Sequence, residues 1–155
     1  IMMNTTQLQA QEEQLTLSTF GHEEALQLGQ TIIDLAKEDG VNVAVHIEKN
    51  RIPVFTHLME GTTEENYMWL FRKKRVTDHY QRSSHFIAKR FEESGLSHDT
   101  NSLLPANDYQ AIGGTLPIRV NGVGMIGTVT VAGLTPELDH EYAVRGLERY
   151  QKKMN

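Results

Sequence analysis

The stretch that most constrains this chain runs from Gly113 to Leu134: Gly-Gly-Thr-Leu-Pro-Ile-Arg-Val-Asn-Gly-Val-Gly-Met-Ile-Gly-Thr-Val-Thr-Val-Ala-Gly-Leu. Asn121-Gly122 between two segments rich in β-branched residues predicts a hairpin with a type I′ turn. That turn needs positive φ at both central residues, and Asn and Gly accept it at least cost. The flanks then pair as antiparallel strands. Just upstream, Gly113 and Gly114 carry no Cβ, so a ligand or a second backbone can come close and amide N–H groups stay free for an anion.

The rest of the pattern alternates helices with a second hairpin. Ala25, Leu28, Ile32, Leu35 and Ala36 recur at helical spacing over residues 22–39, and Gly40 supplies a stop. Residues 41–47 and 52–59 alternate in strand fashion around Lys49-Asn50, a turn that would set His46 opposite Pro53. Thr62 and Glu65 have capping-box spacing and open a helix over about 63–80. The helical pattern continues or restarts over 81–93 and stops at Ser94-Gly95, and a polar loop follows over 96–109. Thr135-Pro136-Glu137 then opens a last helix to about Gln151.

This order predicts an α+β domain in the profilin-like, PAS-like layout, three α/β/α layers around a five-stranded antiparallel sheet. The fifth strand comes from Leu15-Thr16-Leu17 or from residues 109–112. Residues 1–13, polar and Gln-rich, read as a flexible leader, and 14–155 as one domain.

Composition removes several function classes. A length of 155 residues, 39% of them hydrophobic, suits one domain with a real core. A net charge of -5 argues against nucleic-acid binding, which needs a broad basic footprint. Arg72-Lys73-Lys74-Arg75 follows Tyr67, Trp69 and Phe71, yet consecutive helical residues diverge by about 100° and form no single basic face. No run reaches the ~20 apolar residues of a membrane helix. With no cysteine, thiolate nucleophiles and Cys-based metal sites are excluded. These features suit a cytoplasmic protein.

Seven histidines raise the question of a metal. His79 and His85 stand six apart and cannot meet on one straight helix. In the expected register His46 and His57 lie on the order of 13 Å apart, so no preformed metal site is expected. Gly122-Val123-Gly124-Met125-Ile126-Gly127 spells a dinucleotide fingerprint but sits in a hairpin, where that motif has no meaning. Asp139-His140 is an acid/base candidate whose divergent helical directions and dipole-favouring carboxylate point to a structural use.

A better constellation follows steps of three and four. Trp69, Arg72, Val76, His79 and Ser83 share one face if the middle helix is continuous. That face combines an aromatic plane, a guanidinium and an imidazole, suited to a planar carboxylated ligand. The alternative is that Trp69 and Val76 are core while Arg72 and His79 reach solvent or acids. Gly113-Gly114 likewise either meets a ligand or simply turns the chain and packs closely.

The pattern Gly113-Gly114-Thr115-Leu116-Pro117-Ile118, then Gly122, Ile126-Gly127, Val131-Ala132-Gly133-Leu134 and Asp139-His140, resembles the haem-binding and haem-degrading HbpS and GlcG superfamily, in an uncharacterised branch of small cytoplasmic proteins. Trp69 with Arg72-Lys73, and Ser83-Ser84, match that branch as well. The resemblance implies a profilin-like fold and a symmetric homo-oligomer, a dimer or larger. Two departures stand out: Thr115-Leu116 separates the glycines from Pro117 where haem-binding relatives read Gly-Gly-x-Pro, and Ala132 stands where Ser is usual. No haem ligand carries over.

Together these readings predict a cytoplasmic, oligomeric small-ligand-binding domain with haem or another planar anionic cofactor as ligand. The cleft would be lined by Trp69, Arg72, Lys73, His79, Ser83, Ser84, His85, Gly113 and Gly114, with no assigned catalytic residue. The alternatives are an oligomeric assembly or adaptor protein, and a haem-degrading enzyme suggested by the resemblance alone.

Overall fold

The computed structural model describes residues 3–154. In chain order the elements are α1 (Thr5–Gln14), α2 (His22–Asp39), β1 (Ala44–Lys49), β2 (Ile52–Leu58), α3 (Glu64–Tyr80), α4 (Ser84–Glu93), α5 (His98–Asn101), β3 (Thr115–Val120), β4 (Gly124–Ala132) and α6 (Pro136–Met154). The sheet has four strands in the order β2-β1-β4-β3, with every neighbouring pair antiparallel.

Strand alternation sorts the sheet into two unlike faces. Val45, Ile47, Leu116, Ile118, Val129 and Val131 point to one side and join Leu28, Ile32 and Leu35 of α2 and Ala143 and Leu147 of α6 in the main core. Burying each large aliphatic there contributes about 1.5–3 kcal/mol. Their sequence neighbours His46, Glu48, Thr115, Thr128 and Thr130 occupy the other face, buried under α3. One face is therefore oil, and the other is a polar layer that must satisfy its hydrogen bonds internally.

Several sequence expectations change. The sheet has four strands among the described residues, not five. Leu17 makes a single parallel bridge to Val120, held by Leu17 N–H to the Arg119 carbonyl and Asn121 N–H to the Leu17 carbonyl, both 2.8 Å, and residues 109–112 form no strand. The expected leader is mostly helix α1, capped reciprocally by Asn4 and Gln7 and pinned by buried Leu8 and Glu12. Residues 1 and 2 of that leader, and residue 155 of the expected domain, lie outside the described residues. A short helix, α5, interrupts the expected loop.

Both hairpin turns also differ. The first turns at Asn50-Arg51, whose φ values of 50° and 65° suit a type I′ turn. The chain thus reverses one residue later than expected, and a bulge between Ile47 and Glu48 adds a further shift. His46 consequently lies opposite Thr56, not Pro53. At the second hairpin Val120 pairs with Gly124, so three residues form the loop, and only Gly122 of the Asn-Gly pair has positive φ.

The middle helix breaks. Gln81 turns left-handed at φ 59° to end α3, its carbonyl accepts from Arg119 Nη2 at 2.6 Å, and Ser83 starts α4 by accepting from Phe86 N–H. The N-cap of α3 is Thr63 with Asn66, one residue later than the Thr62–Glu65 pair, because the Thr62 hydroxyl donates to the Met59 carbonyl instead.

Candidate functional site

The polar layer centres on Lys73, which α3 projects into the sheet. Its ammonium donates to the Gly113 carbonyl (3.1 Å), the Val131 carbonyl (2.9 Å) and Asp139 Oδ2 (2.8 Å). All three N–H donors are matched, so Lys73 has none left for a ligand. Asp139, in the first turn of α6, also accepts from Leu134 N–H at 3.0 Å. Burial pulls the ammonium down and the carboxyl up from their ordinary values, while each partner's charge opposes the shift. The pair therefore ties the glycine loop, β4 and α6 together.

The glycines serve the same junction. A Cβ on Gly113 would run into the Pro136 carbonyl, and one on Gly114 would stand 2.6 Å from Lys73 Nζ, with φ at +142°. Their missing side chains make room for protein, the close-packing alternative. A cleft of about 260 Å³ does lie between the start of α3 and that of α6, lined by Trp69, Lys73, Ile112, Gly133 and Asp139 among others, but neither Gly113 nor Gly114 lines it.

The remaining predicted residues scatter once the helix breaks. The Arg72 guanidinium lies 4.9 Å over the Trp69 ring and donates to the Asn107 carbonyl, so it covers one face of the aromatic plane that a ligand would need. His79 is exposed and packs edge-on against Tyr80 and Tyr109. Ser83 and Ser84 are fully buried, Ser83 capping α4 and Ser84 accepting from Thr115 N–H at 3.0 Å. Trp69, Arg72 and Lys73 share one neighbourhood; Ser84 and His85 reach the same glycine loop from α4, Ser84 at Thr115 N–H and His85 with Nδ1 3.1 Å from where a Gly113 Cβ would stand, while His79 and Ser83 do not touch it.

His85 also borders a second place. Its ring stacks on His140 of α6, centroids 4.6 Å apart and planes 27° apart. Both line a cleft of about 470 Å³ between α1, α4 and α6, with apolar walls from Met3, Leu8, Leu138 and Val144. Lys89 and Arg145 supply cations, paired with Glu92 at 3.2 Å and Asp39 at 2.9 Å respectively, while Glu137, Glu141 and Glu148 supply acids. Burial, reinforced by the His85 ring, pushes His140 down to about 3, and burial followed by the nearby Lys89 charge also lowers His85. Both rings are therefore neutral at pH 7. His140 Nε2 pairs with Gln11 Oε1 at 3.2 Å, whereas His140 Nδ1 is buried with no hydrogen-bond partner.

His140 and the α1 residues Leu8 and Gln11 escaped sequence reasoning. Fifty-five positions separate His85 from His140, and no periodicity links them; the sole available signal was the adjacent pair Asp139-His140. Among the described residues no group of three or more His, Asp or Glu side chains could hold a metal ion, and no helix is long and apolar enough to cross a membrane.

Residues 20–148 match the family described as haem degrading protein HbpS-like. A UPF0303 protein of Streptomyces avermitilis is 36% identical over 147 residues, covering 95% of this chain and 90% of its own. Among solved structures, the Ybr137w protein superposes with a TM-score of 0.92 at 23% identity, covering 99% of this chain and 91% of that one. A PduOC:heme complex matches with a TM-score of 0.71 at 17% identity, covering 84% and 94% respectively. At these identities the two structural likenesses speak for the fold.

Proposed function

The chain belongs to the HbpS-like family, and from that premise we propose that it is a cytoplasmic, homo-oligomeric haem-binding domain whose ligand lies in the cleft between α1, α4 and α6. The observation that carries this reading is the stacked His85–His140 pair in the cleft wall. Burial keeps both imidazoles neutral, and the neutral form is the one that ligates iron. His85 is only half-buried and serves as the iron ligand, while His140 stacks behind it and fixes its plane. The volume, about 470 Å³, falls within the range of small-molecule pockets.

Met3, Leu8, Leu138 and Val144 would cover the apolar faces of a macrocycle, and Lys89 and Arg145 would turn from Glu92 and Asp39 to pair with its carboxylates. Haem, when bound, supplies a redox-active iron; the chain orients it through His85 and shields it with α1. The PduOC:heme complex, which shares the fold, supports the choice of ligand.

Titration with haemin tests the reading. A Soret shift is expected in the wild type, lost in His85→Ala and retained in His79→Ala, which lies outside the cleft. No shift, or one that survives both His85→Ala and His140→Ala, overturns it. Loss of the bound Soret band on adding ascorbate would extend binding to degradation.

A further inference from the structure

On the α3 face of the sheet, far from the histidine cleft in sequence and sharing none of its residues, three side chains form a relay. Thr56 Oγ1 lies 2.6 Å from His46 Nδ1, and His46 Nε2 lies 2.7 Å from Glu48 Oε2. A carboxylate only accepts, so His46 carries its proton on Nε2, and in the neutral ring Nδ1 accepts from the Thr56 hydroxyl. Lys74 Nζ holds the other Glu48 oxygen at 2.6 Å and is anchored by Asp78 at 2.7 Å. Burial raises the Glu48 carboxyl, but the hydrogen bonds from His46 and Lys74 outweigh it and leave the group below its ordinary value, hence ionised.

Exposure divides the relay as a reactive site requires. His46 and Glu48 are 1% and 4% exposed, whereas Thr56 is open to solvent on edge strand β2. Backbone pairing adds a donor. Met59 N–H donates to the Val43 carbonyl across the β1–β2 ladder, and alternation then makes His46 and Thr56 a non-hydrogen-bonded pair. Such a pair brings its side chains close and turns the amide N–H of Thr56 outward to the open edge. The N–H of Leu58, two residues on, turns outward in the same way. Phe71 packs on the His46 ring at 5.0 Å and the exposed Tyr67 packs on Phe71 at 4.9 Å, an aromatic wall beside the hydroxyl.

We propose that Thr56 is a nucleophile activated by His46 and positioned by Glu48, and that it takes the acyl group of activated carboxylic esters with an aryl or apolar portion. The Thr56 oxygen bonds to the ester carbonyl carbon as its proton passes to His46 Nδ1. The oxyanion faces the outward N–H of Thr56. Collapse breaks the bond to the leaving alkoxide or aryloxide, which takes the proton from Nδ1, leaving an acyl-threonine; water then gives a proton to the same nitrogen as its oxygen bonds to the acyl carbon, the bond from that carbon to Thr56 Oγ1 breaks, the acid leaves and Nδ1 returns the proton to Oγ1.

The test uses p-nitrophenyl acetate turnover and labelling by an alkyl fluorophosphonate, with the modified peptide located by mass spectrometry. Label on Thr56 is expected in the wild type and in Thr56→Ser, with the rate lower by about 100-fold or more in Thr56→Val. Because Thr56 is exposed, the valine variant keeps its fold, checked by circular dichroism. Glu48→Gln should lower the labelling rate, since the imidazole loses the carboxylate that holds its Nε2–H. No label, label elsewhere, or equal rates in wild type and Thr56→Val overturn the proposal.

Discussion

Replacing Lys73 by Met tests the junction that shapes the glycine loop. The methionine fills most of the volume but removes the ammonium, leaving the Gly113 and Val131 carbonyls short of a donor and Asp139 with Leu134 N–H alone. Breaking a buried ion pair from one side costs about 3–5 kcal/mol. With a urea m-value of about 2 kcal/mol/M, the unfolding midpoint should fall by roughly 1.5–2.5 M. Part of the cost is relieved if Asp139 takes up a proton. Its carboxyl, raised by burial and now without Lys73, has a folded pKa above its unfolded value. The variant is therefore stabilised below the unfolded value and loses that contribution as pH rises through the folded one, so acidification should narrow its gap to the wild type. Lys73→Met/Asp139→Asn should be more stable at pH 7 than Lys73→Met alone. Urea melts at pH 7 and pH 5 read all three quantities. A single-variant loss below about 1 kcal/mol, or a gap that widens in acid, would refute the reasoning.

Gly114→Ala places a Cβ against Lys73 Nζ at φ +142°, so it should cost at least about 2 kcal/mol in the same melts; a neutral result would show that the loop can yield. His140 is held neutral, its folded value of about 3 lying below the ordinary 6.5. Its stabilising contribution is present above pH 6.5 and lost as pH falls toward 3, and His140→Gln should flatten stability across that window. The haemin titration and the Thr56 labelling complete the set, and they read different residues, so one can fail without the other.

Local chemistry was legible wherever short-range rules suffice. The apolar spacing of α2 with its Gly40 stop, the Thr135-Pro136 start of α6 and the Ser94-Gly95 end of α4 all appear where residue patterns placed them. The strands flanking Asn121-Gly122 do pair, since an Asn-Gly reversal between β-branched segments has few other solutions. α1 was missed because its anchors, Leu8 and Glu12, are buried largely by partners more than sixty residues away, Val76, Phe86 and Ile87 for Leu8 and Ser83 and Arg119 for Glu12.

The sites lay beyond such rules. Trp69, Arg72, His79 and Ser83 share a face only on an unbroken helix, and the break at Gln81 is held by Arg119 from another strand. A one-residue difference in the turn plus a bulge brought His46 to Thr56, as strand registers move every pairing with each slip. His85 met His140 because α4 and α6 pack together. The sequence by itself determined the class of fold and most element boundaries, because propensity, capping and alternation act over a few residues. Tertiary structure alone decided which buried polar groups found partners and which imidazoles stayed neutral, because both depend on what the rest of the chain places within about 3 Å and how much water it removes.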